Sequence, residues 1–437
     1  MEWRQSNQRM QLRRLAGFVR NTVKFVNFPV VRVFADGKLD LLPEKWLEGH
    51  KNVNLSQIAS CFPSEIPSSS TSSISTEIFS LNIENLSFTQ FVSLGQSLSI
   101  LSEEKLDQKQ IRKLNKARNR ELTFKKSVEL ECFGRFLVEK CEEKGITRVV
   151  DVGCGLGHLL GWIGKKLPDV ELVGVDCNSG FCDKGKKIYG DISFNSVEIG
   201  AENSGEFLNL LEAEDQQTAL ISLHGCGDLQ ETLIKLFLEA DGKKVPLLLT
   251  IGCCYHKTKK PNNNEWILSD FLTKELQGIE VNGSAMRMAA EMRFPDYVKM
   301  SAEERERRLN ALTIRAMVEV FYQRMGINAK DEHRSKRRKL GSTIAEVAET
   351  LSQRYSTDES TKKLWTEQLN AIEREFGALI PKVQLLLDIQ YSLQPVMESL
   401  ILLDRLQYVA ENGVNATLIP LFPTQISPRN SCLNAER

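Results

Sequence analysis

The chain has 437 residues, 41% hydrophobic and 26% charged, an ordinary globular composition with room for two or three domains. Lysine plus arginine equals aspartate plus glutamate at 57 each, which excludes a chain-wide basic field for holding nucleic acid and leaves only a local patch for that purpose. The start Met1-Glu2-Trp3-Arg4 carries no secretory signal, so the ten cysteines read as reduced thiols of an intracellular protein, in cytoplasm or nucleus, rather than as disulfides.

Residues 1–110 read as a mostly helical N-terminal region, with short strands around Phe25 to Val33 and a serine-dominated surface loop or disordered segment at 64–76. From Gln96 to Lys144 charged and apolar residues alternate at helical spacing, and Phe133, Phe136, Leu137 and Cys141 make one apolar stripe. Five strands are predicted next, at Arg148–Val152, Glu171–Val175, Val197–Ile199, Thr218–Leu223 and Val245–Gly252, with helices between them, including Leu229 to Ala240. This alternation predicts a doubly wound α/β fold with a mostly parallel sheet. Thr258 to Asn264 is a Lys/Pro/Asn loop, and 261–384 reads as a helical insertion. A long helix from about Gln384 stops at Asn412-Gly413, and two strands follow, Val414–Phe422 and Arg429–Ala435. The apolar run Val383 to Leu403 contains Asp388, Gln394, Pro395 and Glu398, so no membrane insertion is expected.

The first strand runs into Asp151-Val152-Gly153-Cys154-Gly155-Leu156-Gly157-His158, and the second ends on Asp176, with Cys177 beside it. Glycines at a strand-to-helix turn let the backbone approach a ligand, and an acid ending the next strand is placed to accept hydrogen bonds from ribose hydroxyls. The glycines at 153, 155 and 157 leave His158 where a dinucleotide fingerprint has its third glycine, and no Gly-Lys-Ser/Thr follows for a phosphate-cradling loop. D-x-G-x-G-x-G followed by such an acid is the pattern of S-adenosylmethionine (SAM) methyltransferases, whose cofactor has a ribose, an adenine and a zwitterionic methionine but no phosphate. Gly153, Gly155, Gly157, Asp176 and Cys177 are therefore the expected cofactor residues, with Asp151 supporting the methionine end.

Two other strand ends carry reactive side chains: His224-Gly225-Cys226-Gly227-Asp228 after the fourth, and Gly252-Cys253-Cys254-Tyr255-His256 after the fifth. In open α/β sheets ligands bind beyond the carboxyl ends of strands, so His224, Cys254 and Tyr255 are candidates beside the transferable methyl. His224 has two readings, proton removal or acceptor positioning, and a histidine that shapes the pocket through a loop carbonyl. Asp228 reads as the cap of the following helix. Tyr255 has three readings: stacking on a flat acceptor, stacking on adenine, or packing. The cysteines show no C-x-x-C pair, and they are read as buried small hydrophobes with no metal. Arg334-Ser335-Lys336-Arg337-Arg338-Lys339 is an import signal, a nucleic-acid contact or a solvated run, and Arg118, Arg120, Lys125 and Lys126 form a second basic segment.

The motifs His224-Gly225-Cys226-Gly227-Asp228-Leu229, Gly252-Cys253-Cys254-Tyr255, Leu402-Leu403-Asp404-Arg405 and Ser427-Pro428-Arg429-Asn430 occur in one order, and that order resembles the methyltransferase-like protein 25 family. Lys125-Lys126-Ser127-Val128-Glu129 is similar to the family's Lys-Lys-x-His-Glu, with valine where the family has histidine; the resemblance places Lys125 and Lys126 at the cofactor pocket. It implies a class I (Rossmann-like) SAM-methyltransferase core of seven strands at 111–260 and 385–437. A more distant likeness, of the His-x-Cys-Gly and Cys-Cys-Tyr strand ends, is to tRNA 2′-O-methyltransferases of the acceptor stem. The turn lacks the prolines of adenine dimethylases. The expected activity is SAM-dependent methylation of a macromolecule, with RNA ahead of protein as the acceptor and a non-catalytic scaffold of the same fold as the rival.

Overall fold

The structure is a computed structural model that describes residues 2–50, 82–101, 122–200, 203–328 and 340–437. The serine-rich 64–76, Arg118, Arg120 and the basic run 334–339 lie outside the described residues.

Seven strands form one sheet: β1 Arg148–Val152, β2 Glu171–Asp176, β3 Ser193–Ser196, β4 Thr218–Gly225, β5 Leu247–Gly252, β6 Asn415–Pro420 and β7 Ser431–Glu436. Their order is β3-β2-β1-β4-β5-β7-β6, parallel through β5, with β7 antiparallel to both β5 and β6. The sheet is the mostly parallel, seven-stranded one expected from the sequence. β1 and β5 are buried along their whole length, which is why Val149-Val150 and Leu247-Leu248-Leu249 read as apolar runs rather than as alternation.

Successive side chains of β1 part to opposite faces. Val149 joins Ala219, Ile221 and Leu249 under the helices Phe124–Lys144 and His158–Gly164, through Phe133, Leu137, Leu160 and Ile163. Val150 and Val152 join Leu220 and Leu248 under the helices Ser204–Leu211 and Leu229–Glu239, through Phe207, Leu233 and Phe237. Strand order reverses between β1 and β4, so a crevice opens beyond their carboxyl ends, the usual place for a ligand in such sheets.

The third strand differs from expectation: β3 is Ser193–Ser196, and Val197–Ile199 lies beyond it. The reason is Phe194, whose ring fills a slot walled by glycines. A Cβ at Gly157 would lie 2.5 Å from that ring, at Gly185 2.6 Å and at Gly174 2.9 Å. The strands expected near Phe25 to Val33 are also absent: Val23–Phe25 and Val30–Arg32 form 3-10 turns.

The chain divides into two compact units: 1–17, 99–290 and 397–437, which hold the sheet, and 18–98 with 291–396. The second unit is helical. Ile314, Met317 and Phe321 from the helix Ala302–Met325 pack with Val347, Leu351, Trp365 and Leu369. The N-terminal region and the insertion, separated in the sequence reading, thus share one core. The boundary placed at 385 moves to 396, because Val383 and Leu386 in the helix Ile380–Glu411 are buried in that helical core. Among the described residues no helix is long and apolar enough to cross a membrane.

Candidate cofactor and acceptor site

The glycine turn is built as the sequence requires. Gly153, Gly155 and Gly157 all take left-handed backbone angles, with φ of 77°, 58° and 77°. A Cβ on Gly155 would meet nothing within 4 Å, so this part of the turn borders open space. Gly153 donates its amide to the carbonyl of Val175 at 2.8 Å, tying the turn to the end of β2. The Asp176 carboxylate accepts the Gly155 amide at 2.9 Å through Oδ2 and the Asn178 amide at 2.9 Å through Oδ1. Each oxygen keeps a second lone pair for a ligand hydroxyl.

A cleft of about 590 Å³ opens over these residues, a size typical of small-molecule sites. Gly153, Asp176, Cys177, Ile199, Cys226, Asp228 and Lys259 are among its walls. Asp228 does not cap the helix that starts at Leu229, contrary to the sequence reading. Its backbone is helical (φ −76°, ψ −9°), and its carboxylate instead accepts the Lys259 amide at 2.8 Å, fastening the loop after β5.

A second polar cluster comes from elements far apart in sequence. Glu129 is buried on the helix Phe124–Lys144, where its Oε1 accepts the Ser427 hydroxyl at 2.8 Å and its Oε2 lies 3.4 Å from Nε2 of His224 on β4. Burial works against the Glu129 charge, but the hydrogen bond and charge of His224, with Ser427 and Lys125, hold the carboxyl below its ordinary value. Lys125 is exposed, with Nζ 3.7 Å from Glu129 Oε1. Lys126 is half-buried, and burial lowers its pKa against the attraction of Glu129 and Asp151. Asp151, 2% exposed, is pushed up to about 7 by burial, with Lys126 opposing and Asp176 adding to the shift. Glu129 and Ser427 had no sequence signal except their place in the motifs shared with the family.

The thiols also gather. Cys226 Sγ lies 2.9 Å from Cys253 Sγ, and Cys253 Sγ lies 3.7 Å from Cys254 Sγ. All three residues are half-exposed rather than buried, which corrects their reading as small core hydrophobes. The hydrogen bond with Cys253 pulls the Cys226 thiol down to about 6 against its burial, and drives Cys253 upward. Tyr255 is buried, and its hydroxyl donates to the Gly252 carbonyl and to Glu398, each at 3.3 Å, while Glu398 also pairs with Arg429 at 2.8 Å. The tyrosine ring therefore anchors the strand end that presents Cys253 and Cys254.

Residues 109–261 match a family model described as "Methyltransferase domain". The chain carries a methyltransferase domain. This domain holds the glycine turn, Asp176, His224 and the three thiols. A mouse (Mus musculus) protein, "Probable methyltransferase-like protein 25", is 25% identical over 229 residues, 49% of this chain and 37% of that protein. The motif-based resemblance to that family is thereby shared with a curated member, and the match spans little more than a third of the relative's length. Solved structures of the plantazolicin methyltransferase BpumL also match. One in complex with SAH is 22% identical, covers 32% of this chain and 52% of that one, and has a TM-score of 0.24. Another, with a triazolic desmethylPZN analog and SAH, is 18% identical over 43% and 66%, also at 0.24. At that score the likeness carries no argument about the site.

The methyltransferase domain fits SAM on its own residues. Asp176 offers carboxylate oxygens at the cleft wall for a ribose. Lys126 beside Asp151 and Glu129 brings both signs of charge together, as a zwitterionic amino-acid end requires. The turn supplies no lysine for a phosphate, which suits a cofactor without one.

Proposed function

We propose that this chain binds SAM in the cleft beyond β1, β2 and β4 and catalyses methyl transfer to a macromolecular acceptor, RNA in the first instance. The observation that carries the reading is Asp176: it ends β2 at the wall of the cleft while bracing a turn of three left-handed glycines. When bound, SAM supplies an electrophilic methyl on a sulfonium. The chain's own part is to hold the cofactor by Asp176 and the Lys126–Asp151–Glu129 cluster, and to align an acceptor with the methyl by proximity and orientation.

In this reading His224, with Cys254 behind it, borders the acceptor. Glu129 sits 3.4 Å from Nε2 of His224, so it orients the ring, and a histidine held in this way suits taking a proton from an acceptor hydroxyl or amine. RNA is supported by the likeness to tRNA 2′-O-methyltransferases and by Lys257, Lys259 and Lys260 along the cleft. The charge there is mixed, since Glu198 pairs with Lys259 at 3.0 Å and Glu265 with Lys260 at 3.5 Å.

The test is incubation of the purified chain with methyl-labelled SAM and an extract of cells lacking the protein. Label lost on RNase treatment supports an RNA acceptor, label lost on protease treatment replaces RNA by protein, and no transferred label despite SAM binding leaves a scaffold.

A further inference from the structure

Cys226 at the cleft wall meets Cys253 and Cys254, and the three thiols come from two strand ends that are drawn together by a specific device. Gly227 donates its amide to the Cys254 carbonyl at 3.2 Å, and Lys257 donates to the same carbonyl at 2.9 Å. Gly227 has φ of 59°, and a Cβ there would lie 2.7 Å from the Lys257 carbonyl oxygen, so only glycine lets the two segments approach this closely. From below, Tyr255 is fixed by Gly252 and Glu398. The scaffold thus converges on Cys226, Cys253 and Cys254, whose sulfur atoms all lie within 4.8 Å of one another.

We propose that Cys226, Cys253 and Cys254 bind one zinc ion, with its fourth position open on the side where Cys226 lines the cleft. Thiolates about 2.3 Å from a tetrahedral zinc stand about 3.8 Å apart. The Cys253–Cys254 separation of 3.7 Å already has that value, and the 2.9 Å between Cys226 and Cys253 needs to widen by a side-chain rotation only. Three soft sulfur ligands select a thiophilic cation over magnesium or calcium. Among the described residues no histidine or carboxylate joins the three sulfurs within the same radius, and three protein ligands with one exchangeable position is the pattern of reactive rather than structural zinc sites. Cys253 and Cys254 are adjacent, yet both sulfurs lie near Cys226 because the strand ends there and the 3-10 turn Tyr255–Lys257 begins. The inference does not depend on SAM binding.

The experiment is metal analysis of the full chain purified without chelator, with anaerobic exchange of the bound ion for cobalt(II). About one zinc per chain, and a thiolate-to-cobalt charge-transfer band in the near ultraviolet, are expected from the native protein. Cys226→Ser and Cys253→Ser should each lose most of the zinc and the band while keeping the native far-ultraviolet dichroism, whereas Cys141→Ser, a cysteine buried on the helix Phe124–Lys144, should keep both. If either variant fails to fold, the native chain decides: absence of zinc together with no charge-transfer band on adding cobalt overturns the proposal. So does a Cys226–Cys253 disulfide found by mass spectrometry in reductant-treated protein. Zinc retained at full stoichiometry by folded Cys226→Ser also overturns it.

Discussion

The Asp176 carboxylate accepts the amide of Gly155 at 2.9 Å, so the acid expected to hold a ribose also fixes the turn over which the cofactor would lie. The two functions are joined in one side chain. Loss of Asp176 would therefore remove the proposed ribose contact and loosen the turn that the Gly155 bond holds.

Gly157 and Gly155 should respond differently to a methyl group. Both have positive φ, but at Gly157 the Cβ would press to 2.5 Å on Phe194, whereas at Gly155 it would meet open space. Gly155→Ala should cost about 1–2 kcal/mol from backbone strain alone. Gly157→Ala should cost roughly 1–3 kcal/mol more, because the ring must move within its glycine-walled slot. Urea denaturation of the two variants checks the order; equal losses would remove Phe194 from the account of the turn.

Changes at His224 should separate binding from turnover. The glycine turn and Asp176 lie at the ends of β1 and β2, while His224 lies on β4 against Glu129. His224→Ala is expected to leave SAM affinity within about threefold and to cut transfer to the acceptor by ~10²-fold or more, the size of a lost acid–base or positioning group. Glu129→Gln should cut transfer by a similar route, because it replaces the carboxylate that holds the ring. Native-rate methylation by His224→Ala would make the histidine structural.

Asp151 predicts a pH dependence of stability. Its carboxyl rises on folding from 3.8 to about 7, so between those values the folded chain holds a proton that the unfolded chain releases. The associated stability is complete below about pH 4 and is lost as pH climbs through 7, by at most about 1.4 kcal/mol per pH unit. In the absence of cofactor, native stability should therefore fall between pH 5 and 7 more steeply than that of Asp151→Asn, which has no proton to lose. Parallel curves in chemical denaturation would contradict this.

One of the motifs that resemble the family proves to be architectural. Asp404 is fully buried and accepts the amides of Leu268 and Ser269, the Ser269 hydroxyl and the guanidinium of Arg405, which also pairs with Glu231. Asp404→Ala should leave a buried cation short of a partner and cost about 3–5 kcal/mol by urea denaturation. A loss under 1 kcal/mol would show that Glu231 alone suffices.

The sheet was legible where strands were buried on both faces, as in Val149-Val150 and Leu247-Leu248-Leu249, since burial writes itself as an apolar run. It was not legible at β3, where Phe194 is the one large apolar residue and its slot is made of glycines from three other segments. The geometry of the glycine turn could be read because its glycines and Asp176 are local to one βαβ unit. The Glu129–His224–Ser427 cluster could not, since its members meet only after β4, the helix Phe124–Lys144 and the chain's last segment have assembled, with Glu129 and Ser427 298 positions apart. The same holds for the thiols, which become neighbours because β4 pairs with β5.

The most direct test of the central claim is calorimetric titration of the purified chain with SAM, beside Asp176→Ala and Asp176→Asn. The native chain should bind one equivalent. Asp176→Ala should bind about tenfold or more weakly, as expected for losing charge-assisted hydrogen bonds of roughly 1.5–3 kcal/mol, and Asp176→Asn should fall between them because it keeps one acceptor oxygen. No heat of binding from the native chain, or the same affinity in native and Asp176→Ala, would contradict the assignment of this cleft to SAM.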